Sequence, residues 1–141
     1  MADTIFTKII RGEIPCYKVY EDDNVFAFLD INPLTRGHTL VISKEPAASL
    51  DQLSEESAAA VGRALPRICR AVIEVAGTHH YNVLENNGAR AHQSVPHVHF
   101  HIIPRPNPQE GLSMSWSARA LEPKEAEETA AQIRAALAAK S

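Results

Sequence analysis

Three histidines at alternate positions give the most restrictive signal in this chain of 141 residues. The segment reads His97-Val98-His99-Phe100-His101-Ile102, and successive side chains of a β-strand point to opposite faces. The three imidazoles therefore line one face of a strand, and the apolar side chains between them anchor the other face to a core. Neutral imidazoles are favoured near pH 7, because protonating all three would place like charges side by side.

Two kinds of site use such a face. A His-x-His pair on a strand can direct two imidazoles at one zinc ion, and an imidazole can also act as a nucleophile toward phosphorus. The loop at residues 88–94 favours the second chemistry, because its backbone N–H groups, the Gln93 amide and the Ser94 hydroxyl are donors suited to phosphate oxygens. Ordinary packing and solvated surface both explain three alternating histidines poorly.

Apolar runs and turn signals predict an α+β fold with a five-stranded antiparallel sheet and helices on one face. The predicted strands are residues 17–20, 25–29, 38–42, 80–85 and 97–103. Because strands and helices do not alternate along the chain, a parallel sheet is not expected.

Three helices are predicted beside the sheet. A short one covers residues 5–10. A long amphipathic helix begins after Ser54, ends at Gly77 and is kinked at Pro66. A longer C-terminal helix begins at Pro123, and its apolar stripe consists of Ala126, Ala130, Ile133 and Leu137.

Composition limits the classes of function. The length and the 45% apolar content fit one domain over residues 1–141. A net charge of −3 argues against a nucleic-acid partner. Cys16 and Cys69 lie far apart, outside any Cys-x-x-Cys pattern. Charges interrupt the N-terminal apolar stretch before it reaches signal-peptide or membrane length, so we expect a cytoplasmic protein without membrane contact.

The histidine segment and its flanks resemble the signature of the histidine-triad (HIT) family. The match spans residues 93–104 and extends upstream to residues 5–15, 28–33 and 37–42. Several ordered matches are far more specific than the histidines alone. The resemblance is closest to the histidine triad nucleotide-binding proteins and their bacterial relatives. It implies a homodimeric α+β protein with a core at about residues 3–106 and an extension with a helix at residues 107–141.

The resemblance implies a set of catalytic residues. His99 is the nucleophile, which attacks the α-phosphorus of a nucleoside phosphate derivative and forms a covalent nucleotidyl-imidazole that water releases. His97 and His101 contact the phosphate and order the site, and His38 supports them. Ser94, together with Gln93, holds phosphate oxygens or the leaving group.

The resemblance also implies a pocket for a purine nucleotide. Asp30 accepts hydrogen bonds from both ribose hydroxyls, and Asn86 contacts the phosphate. Trp116 matches a tryptophan that lies near the partner subunit's site in relatives, and packing in a dimer interface or in the core explains it equally well. The base is enclosed by the apolar side chains of Phe6, Ile9, Phe28 and Ile31.

The expected function is hydrolysis of nucleoside phosphoramidates or related nucleotidyl conjugates without a cofactor. Three alternatives stay open: a dinucleoside polyphosphate hydrolase, a nucleotide-binding or scaffold module with vestigial turnover, and a metal-binding protein. Many bacterial relatives carry a zinc site built from Cys-x-x-Cys and a later histidine. This chain has Thr4, Thr7 and Pro46 at those positions, so we expect no metal.

Overall fold

A five-stranded antiparallel sheet forms the centre of the protein. The structure is a computed structural model and describes residues 2–140. In the order β1-β2-β3-β5-β4 across the sheet, all neighbours pair antiparallel, which confirms the predicted α+β class. The strands are β1 (Lys18–Glu21), β2 (Val25–Leu29), β3 (Thr39–Ser43), β4 (Tyr81–Glu85) and β5 (His99–Pro104).

The helices form at the predicted places: α1 (Ile5–Ile10), α2 (Glu55–Ala76) and α3 (Pro123–Lys140). The Ser54 hydroxyl caps α2, and Gly77 ends it with a φ of 71°. A left-handed residue there costs glycine little, because it has no Cβ. The helix runs through Pro66 as one element of 22 residues. Pro66 lies on the exposed side, where water can bind the carbonyl group that loses its partner.

The helices cover both faces of the sheet, which corrects the expectation that they lie on one face. In β2, Val25 and Ala27 pack with α2, whereas Phe26 and Phe28 pack with α1. The physical reason is that both alternating sets of β2 are apolar, so each face needs its own cover. Short 3₁₀ turns at Leu50–Gln52 and Ala89–Ala91 complete the regular elements of the described residues.

Four strands begin later than predicted. β5 begins at His99 because the N–H of His97 bonds to the Val95 carbonyl and that of Val98 bonds to the Ala47 carbonyl, outside the strand ladder. β1, β3 and β4 each start one residue late, at Lys18, Thr39 and Tyr81. The alternation of β5 is still as predicted: Ile102 packs in the α2 core, and the ring of His99 lies 5.0 Å from that of Phe6 on the α1 side.

The C-terminal segment packs little against the rest of its own chain. No residue of α3 is buried, and Ile133 and Leu137 of its apolar stripe are exposed. Trp116, in the extended segment before α3, is 77% exposed. Among the described residues, no helix is both long and apolar enough to cross a membrane.

Candidate active site

The candidate site is a cleft on the α1 face of the sheet. With a length of 6 residues, α1 covers only part of this face. Beside it a cavity of about 230 Å³ opens over β2 and β5. Of the residues predicted to be functional, the cleft is lined by Phe6, Ile9, Phe28, Asp30, Ile31, Ser94, His99 and His101.

Backbone geometry fixes the tautomer of His99. Its Nδ1 atom lies 2.7 Å from the carbonyl oxygen of His97, two residues earlier. A carbonyl oxygen can only accept, so Nδ1 carries the hydrogen and the Nε2 lone pair is free. The ring is held edge-on to Phe6, and the residue is 2% exposed. In the uncharged ring, this contact therefore holds the hydrogen on Nδ1 and gives the Nε2 lone pair a fixed direction.

A second chain of contacts fixes the tautomer of His101. The N–H of Leu34 donates to Nδ1 of His38 at 3.1 Å, so Nε2 of His38 carries its hydrogen. That Nε2 lies 2.9 Å from Nδ1 of His101, which must accept. The hydrogen of neutral His101 is therefore on Nε2. Burial, with repulsion from His99 and His38, lowers the pKa of His101 to about 4, so the neutral form prevails at pH 7.

His97 has a different position from the other two histidines. It is fully buried and is not among the residues that line the cleft. Its Nε2 donates to the Ser43 carbonyl at 2.7 Å, and its buried Nδ1 has no partner in the described structure. Burial lowers its pKa. Of the two roles implied for His97, these contacts support ordering the site through its carbonyl rather than contact with a phosphate.

Asp30 lines the cleft and lies next to the imidazole pair of His38 and His101. Its Oδ1 accepts from the N–H of Asn32 at 2.8 Å, and its Oδ2 lies 3.5 Å from Nε2 of His38. Burial lowers the pKa of His38 although the Asp30 carboxylate opposes that shift. The carboxylate thus keeps capacity to accept hydrogen bonds from a bound molecule.

The predicted phosphate contacts divide into two groups. Ser94 lines the cleft, and its hydroxyl has no partner in the described residues. Gln93 is engaged elsewhere, because its amide donates to the Ala48 carbonyl at 2.6 Å and accepts from the Gly88 N–H at 2.7 Å. Asn86 donates to the His92 carbonyl at 3.5 Å and also lies outside the cleft lining. Both brace the 88–92 loop in this structure.

Sequence reasoning missed several groups that complete the site. The cleft is also lined by Cys16 and Val95. The tautomers depend on the N–H of Leu34 and the carbonyl of Ser43. No sequence signal marks those two, because every non-proline residue offers the same backbone groups.

A metal fits these donors poorly. Ligand atoms of Asp30, His38 and His101 lie within 4.8 Å of one another. For Nε2 of His38 to bind a cation, its hydrogen would have to move to Nδ1, where it would face the N–H of Leu34. Two donors would then oppose each other in a buried place, which is costly.

At the positions where the sequence departs from the zinc-site pattern, Thr4 and Thr7 form the reciprocal hydrogen bonds of a capping box at the start of α1. Both hydroxyls are engaged there, so they serve the helix rather than a cation.

Fold and site together define an α+β protein with a buried, tautomer-locked histidine cluster beside an apolar cleft. The family model of the HIT domain matches residues 11–107, which is most of the chain. The chain therefore belongs to the HIT domain family.

Relatives and solved structures agree with this assignment. The chain is 48% identical over 121 residues to adenosine 5'-monophosphoramidase hnt1 of Schizosaccharomyces pombe, covering 86% of this chain and 88% of that protein. It is 46% identical over 103 residues to adenylylsulfatase HINT3 of Arabidopsis thaliana, covering 73% of this chain and 52% of that protein. The crystal structure of the histidine triad nucleotide-binding protein from Candida albicans superposes with a TM-score of 0.90 at 33% identity, covering 99% of this chain and 100% of that one.

Proposed function

We propose that this protein hydrolyses adenosine 5'-phosphoramidates and related nucleotidyl conjugates at the α-phosphorus, with His99 as the nucleophile. The observation that carries the proposal is the contact between Nδ1 of His99 and the His97 carbonyl, which keeps the hydrogen of the uncharged ring on Nδ1 and leaves Nε2 as the free nitrogen. A nucleophile needs such a free lone pair. The similarity to a phosphoramidase of fission yeast supports the same class of substrate.

The reaction divides into two displacements at phosphorus. The Nε2 lone pair of His99 forms a bond to the α-phosphorus while the bond from phosphorus to the leaving nitrogen breaks. The departing amine takes a proton, which the Ser94 hydroxyl can supply in relay with His101. Water then attacks the phosphorus and its released proton replaces the one that Ser94 and His101 gave to the amine. The bond between phosphorus and His99 breaks, its electron pair returns to Nε2, and the nucleoside monophosphate leaves.

Neutral donors stabilise the phosphate in this proposal. No Arg or Lys is among the described residues that line the cleft. The Nε2–H of His101 and the hydroxyl of Ser94 are two of the side-chain donors there, and the backbone N–H groups of Ser94 and Val95 have no partner within residues 2–140. Such fixed donors can stabilise charge that develops on phosphate oxygens.

The nucleoside occupies the apolar part of the same cleft. The base contacts Phe6, Ile9 and Phe28, and the ribose hydroxyls donate to Asp30. Ile31 is 73% exposed and forms the outer rim of this wall. Because apolar contacts tolerate many rings, we expect weak discrimination between bases.

We further propose that the protein acts as a homodimer in the cytoplasm. β4 is an edge strand of the sheet, and Tyr81 and Val83 on it are 39% and 46% exposed. An uncovered edge with apolar side chains is a template for pairing with another chain. The sulfur of Met114, an exposed residue, accepts from the Asn82 amide of β4 at 3.5 Å.

A substrate panel with a matched variant tests the enzymatic proposal. We expect rapid release of AMP from an adenosine 5'-phosphoramidate. His99→Ala should lower kcat by several orders of magnitude and leave AMP binding, measured by calorimetry, within about threefold. The control is His79→Ala, which removes an exposed histidine outside the cleft. Comparable kcat in His99→Ala would overturn the role of His99.

The covalent step has its own measurement. Intact-protein mass spectrometry after a rapid quench should show an added adenylyl group on the wild-type chain and on His79→Ala. His99→Ala should lack it. An adduct that persists in His99→Ala would place the covalent step on another residue. The panel should also contain adenylyl sulfate, because the Arabidopsis relative is an adenylylsulfatase.

A further inference from the structure

A second cleft lies on the opposite face of the sheet, between α2 and β1. Its volume is about 400 Å³. α2 makes its main contacts with β2, β3 and β5, so an apolar slot stays open beside β1. It is lined by Val19, Tyr20, Leu29, Gly37, Thr39, Arg67, Ile68, Ala71, Val72 and Val75.

The slot combines exposed apolar walls with a closed floor. Val19 on β1 and Val75 on α2 are 50% and 60% exposed, whereas Ile68 between them is 5% exposed. Gly37 lies near Val72, and a Cβ on it would come within 3.7 Å of the Val72 Cγ1 atom. A concave surface with exposed apolar side chains around a buried apolar residue is typical of a binding site.

Arg67 supplies the charge in this cleft. Its Nη1 donates to the Tyr20 hydroxyl at 3.2 Å, and its guanidinium carbon lies 6.0 Å from the Tyr20 ring centroid. The nearby Asp22 accepts from the Tyr20 hydroxyl at 2.6 Å and from the N–H groups of Asn24 and Val25 at 2.8 Å. Asp22 is thus occupied, and Arg67 forms no ion pair within residues 2–140.

We propose that this cleft binds a small amphiphile with an apolar body and a single anionic head group, such as a medium-chain carboxylate. The apolar body lies between Val19 and Val75 over Ile68, and the head group pairs with Arg67. A planar guanidinium without a carboxylate partner suits a carboxylate or a sulfonate. The volume falls within the range of small-molecule sites.

This site is independent of the proposed reaction. It lies on the α2 face of the sheet, whereas His99 faces α1. Within residues 2–140, Leu29 alone lines both clefts. Occupation of the amphiphile site can therefore be measured while a nucleotide fills the other cleft.

Fluorescence of anilinonaphthalene sulfonate, which has an apolar body and one anionic head, tests the proposal in the full chain. Saturating AMP is present throughout, so the probe cannot report the nucleotide cleft. Ala71→Trp fills the slot at an exposed position and should abolish saturable binding. Arg67→Gln should weaken binding about three- to tenfold. The control is Arg63→Gln, one helical turn earlier and outside the cleft lining, which should bind as the wild type does.

Two amphiphiles of opposite charge distinguish a site that pairs an anion with Arg67 from a purely apolar surface. Octanoate should displace the probe at concentrations where octylammonium does not, and Arg67→Gln should reduce that difference. Equal displacement by both amphiphiles, or unchanged probe binding in both Ala71→Trp and Arg67→Gln, would overturn the proposal. Circular dichroism of each variant verifies that it is folded.

Discussion

The Nε2 atom of His38 lies 2.9 Å from the Nδ1 atom of His101. Because the N–H of Leu34 occupies the other nitrogen of His38, this contact orients the hydrogen of His101 toward the cleft. His38, which is not one of the three alternating histidines, thus determines that His101 donates from Nε2. The site therefore offers an uncharged N–H donor of fixed direction, and no Lys or Arg among the described residues lines it.

The first prediction concerns the dependence of stability on pH. Burial lowers the pKa values of His38, His97 and His101 in the folded chain, to about 4 for His101, whereas an unfolded histidine has a pKa near 6.5. Between about pH 4 and pH 6.5 the unfolded state therefore binds more protons. The free energy of unfolding should fall as pH is lowered through this window and stay level with respect to these groups above it.

Urea unfolding at pH 7.5 and pH 5 measures this effect. The His101 contribution is on the order of 1 to 2 kcal/mol between these pH values. His101→Gln should lose less stability than the wild type on acidification, and His79→Gln should lose as much as the wild type. Parallel losses in all three proteins would contradict the prediction.

The second prediction assigns Asp30 to the ribose. Asp30→Ala should weaken binding of AMP by roughly tenfold and binding of 2'-deoxy-AMP by less, because a charged acceptor contributes about 1.5 kcal/mol or more to a hydrogen bond. Calorimetry with both nucleotides gives the ratio. Asp23→Ala, an exposed carboxylate in the β1–β2 turn, is the control. Equal weakening for both nucleotides would remove the ribose from the role of Asp30.

The third prediction is that the purified protein carries no stoichiometric zinc. The hydroxyls of Thr4 and Thr7 are engaged in the α1 cap, and the Leu34 N–H opposes the tautomer that His38 would need for metal binding. Elemental analysis after dialysis against a chelator should find far less than one zinc ion per chain. About one ion per chain after that treatment would require another set of ligands.

The fourth prediction orders two substrates. An adenosine phosphoramidate should be cleaved with a higher kcat/KM than diadenosine triphosphate. The leaving nitrogen can take a proton from the Ser94 and His101 side, whereas a second nucleoside needs a surface of its own beyond a cleft of about 230 Å³. Steady-state kinetics on one preparation decide the order. The reverse order would end the phosphoramidase assignment and leave the histidine mechanism in place.

Side-chain pattern predicted much of this architecture. The alternation in β5 placed His99 and His101 on one face and Ile102 on the other, as the structure has them. Ser54 and Gly77 predicted both ends of α2 within one residue, because each satisfies a backbone requirement that few residue types meet. Such features can be read from sequence, since they depend on the identity of a single side chain.

Pattern could not predict which backbone groups meet. The late start of β5 follows from hydrogen bonds of His97 and Val98 to loop carbonyls. The engagement of Gln93 with Gly88 and Ala48 depends on the path of two loops. Phe6 and Ile9 could have been ordinary core residues, and only the short length of α1 leaves a cleft beside them.

Under the proposed function, the capping box of α1 connects the start of the chain to nucleotide affinity. A helix of 6 residues is too short to be stable alone, and Phe6 and Ile9 on it form a wall of the cleft. Whenever α1 unwinds, that wall disappears, so the apparent Kd equals the intrinsic Kd divided by the fraction of molecules in which α1 is wound. In the proposed nucleotide site, we therefore expect Thr4 and Thr7 to influence affinity through the fraction of molecules in which α1 is wound.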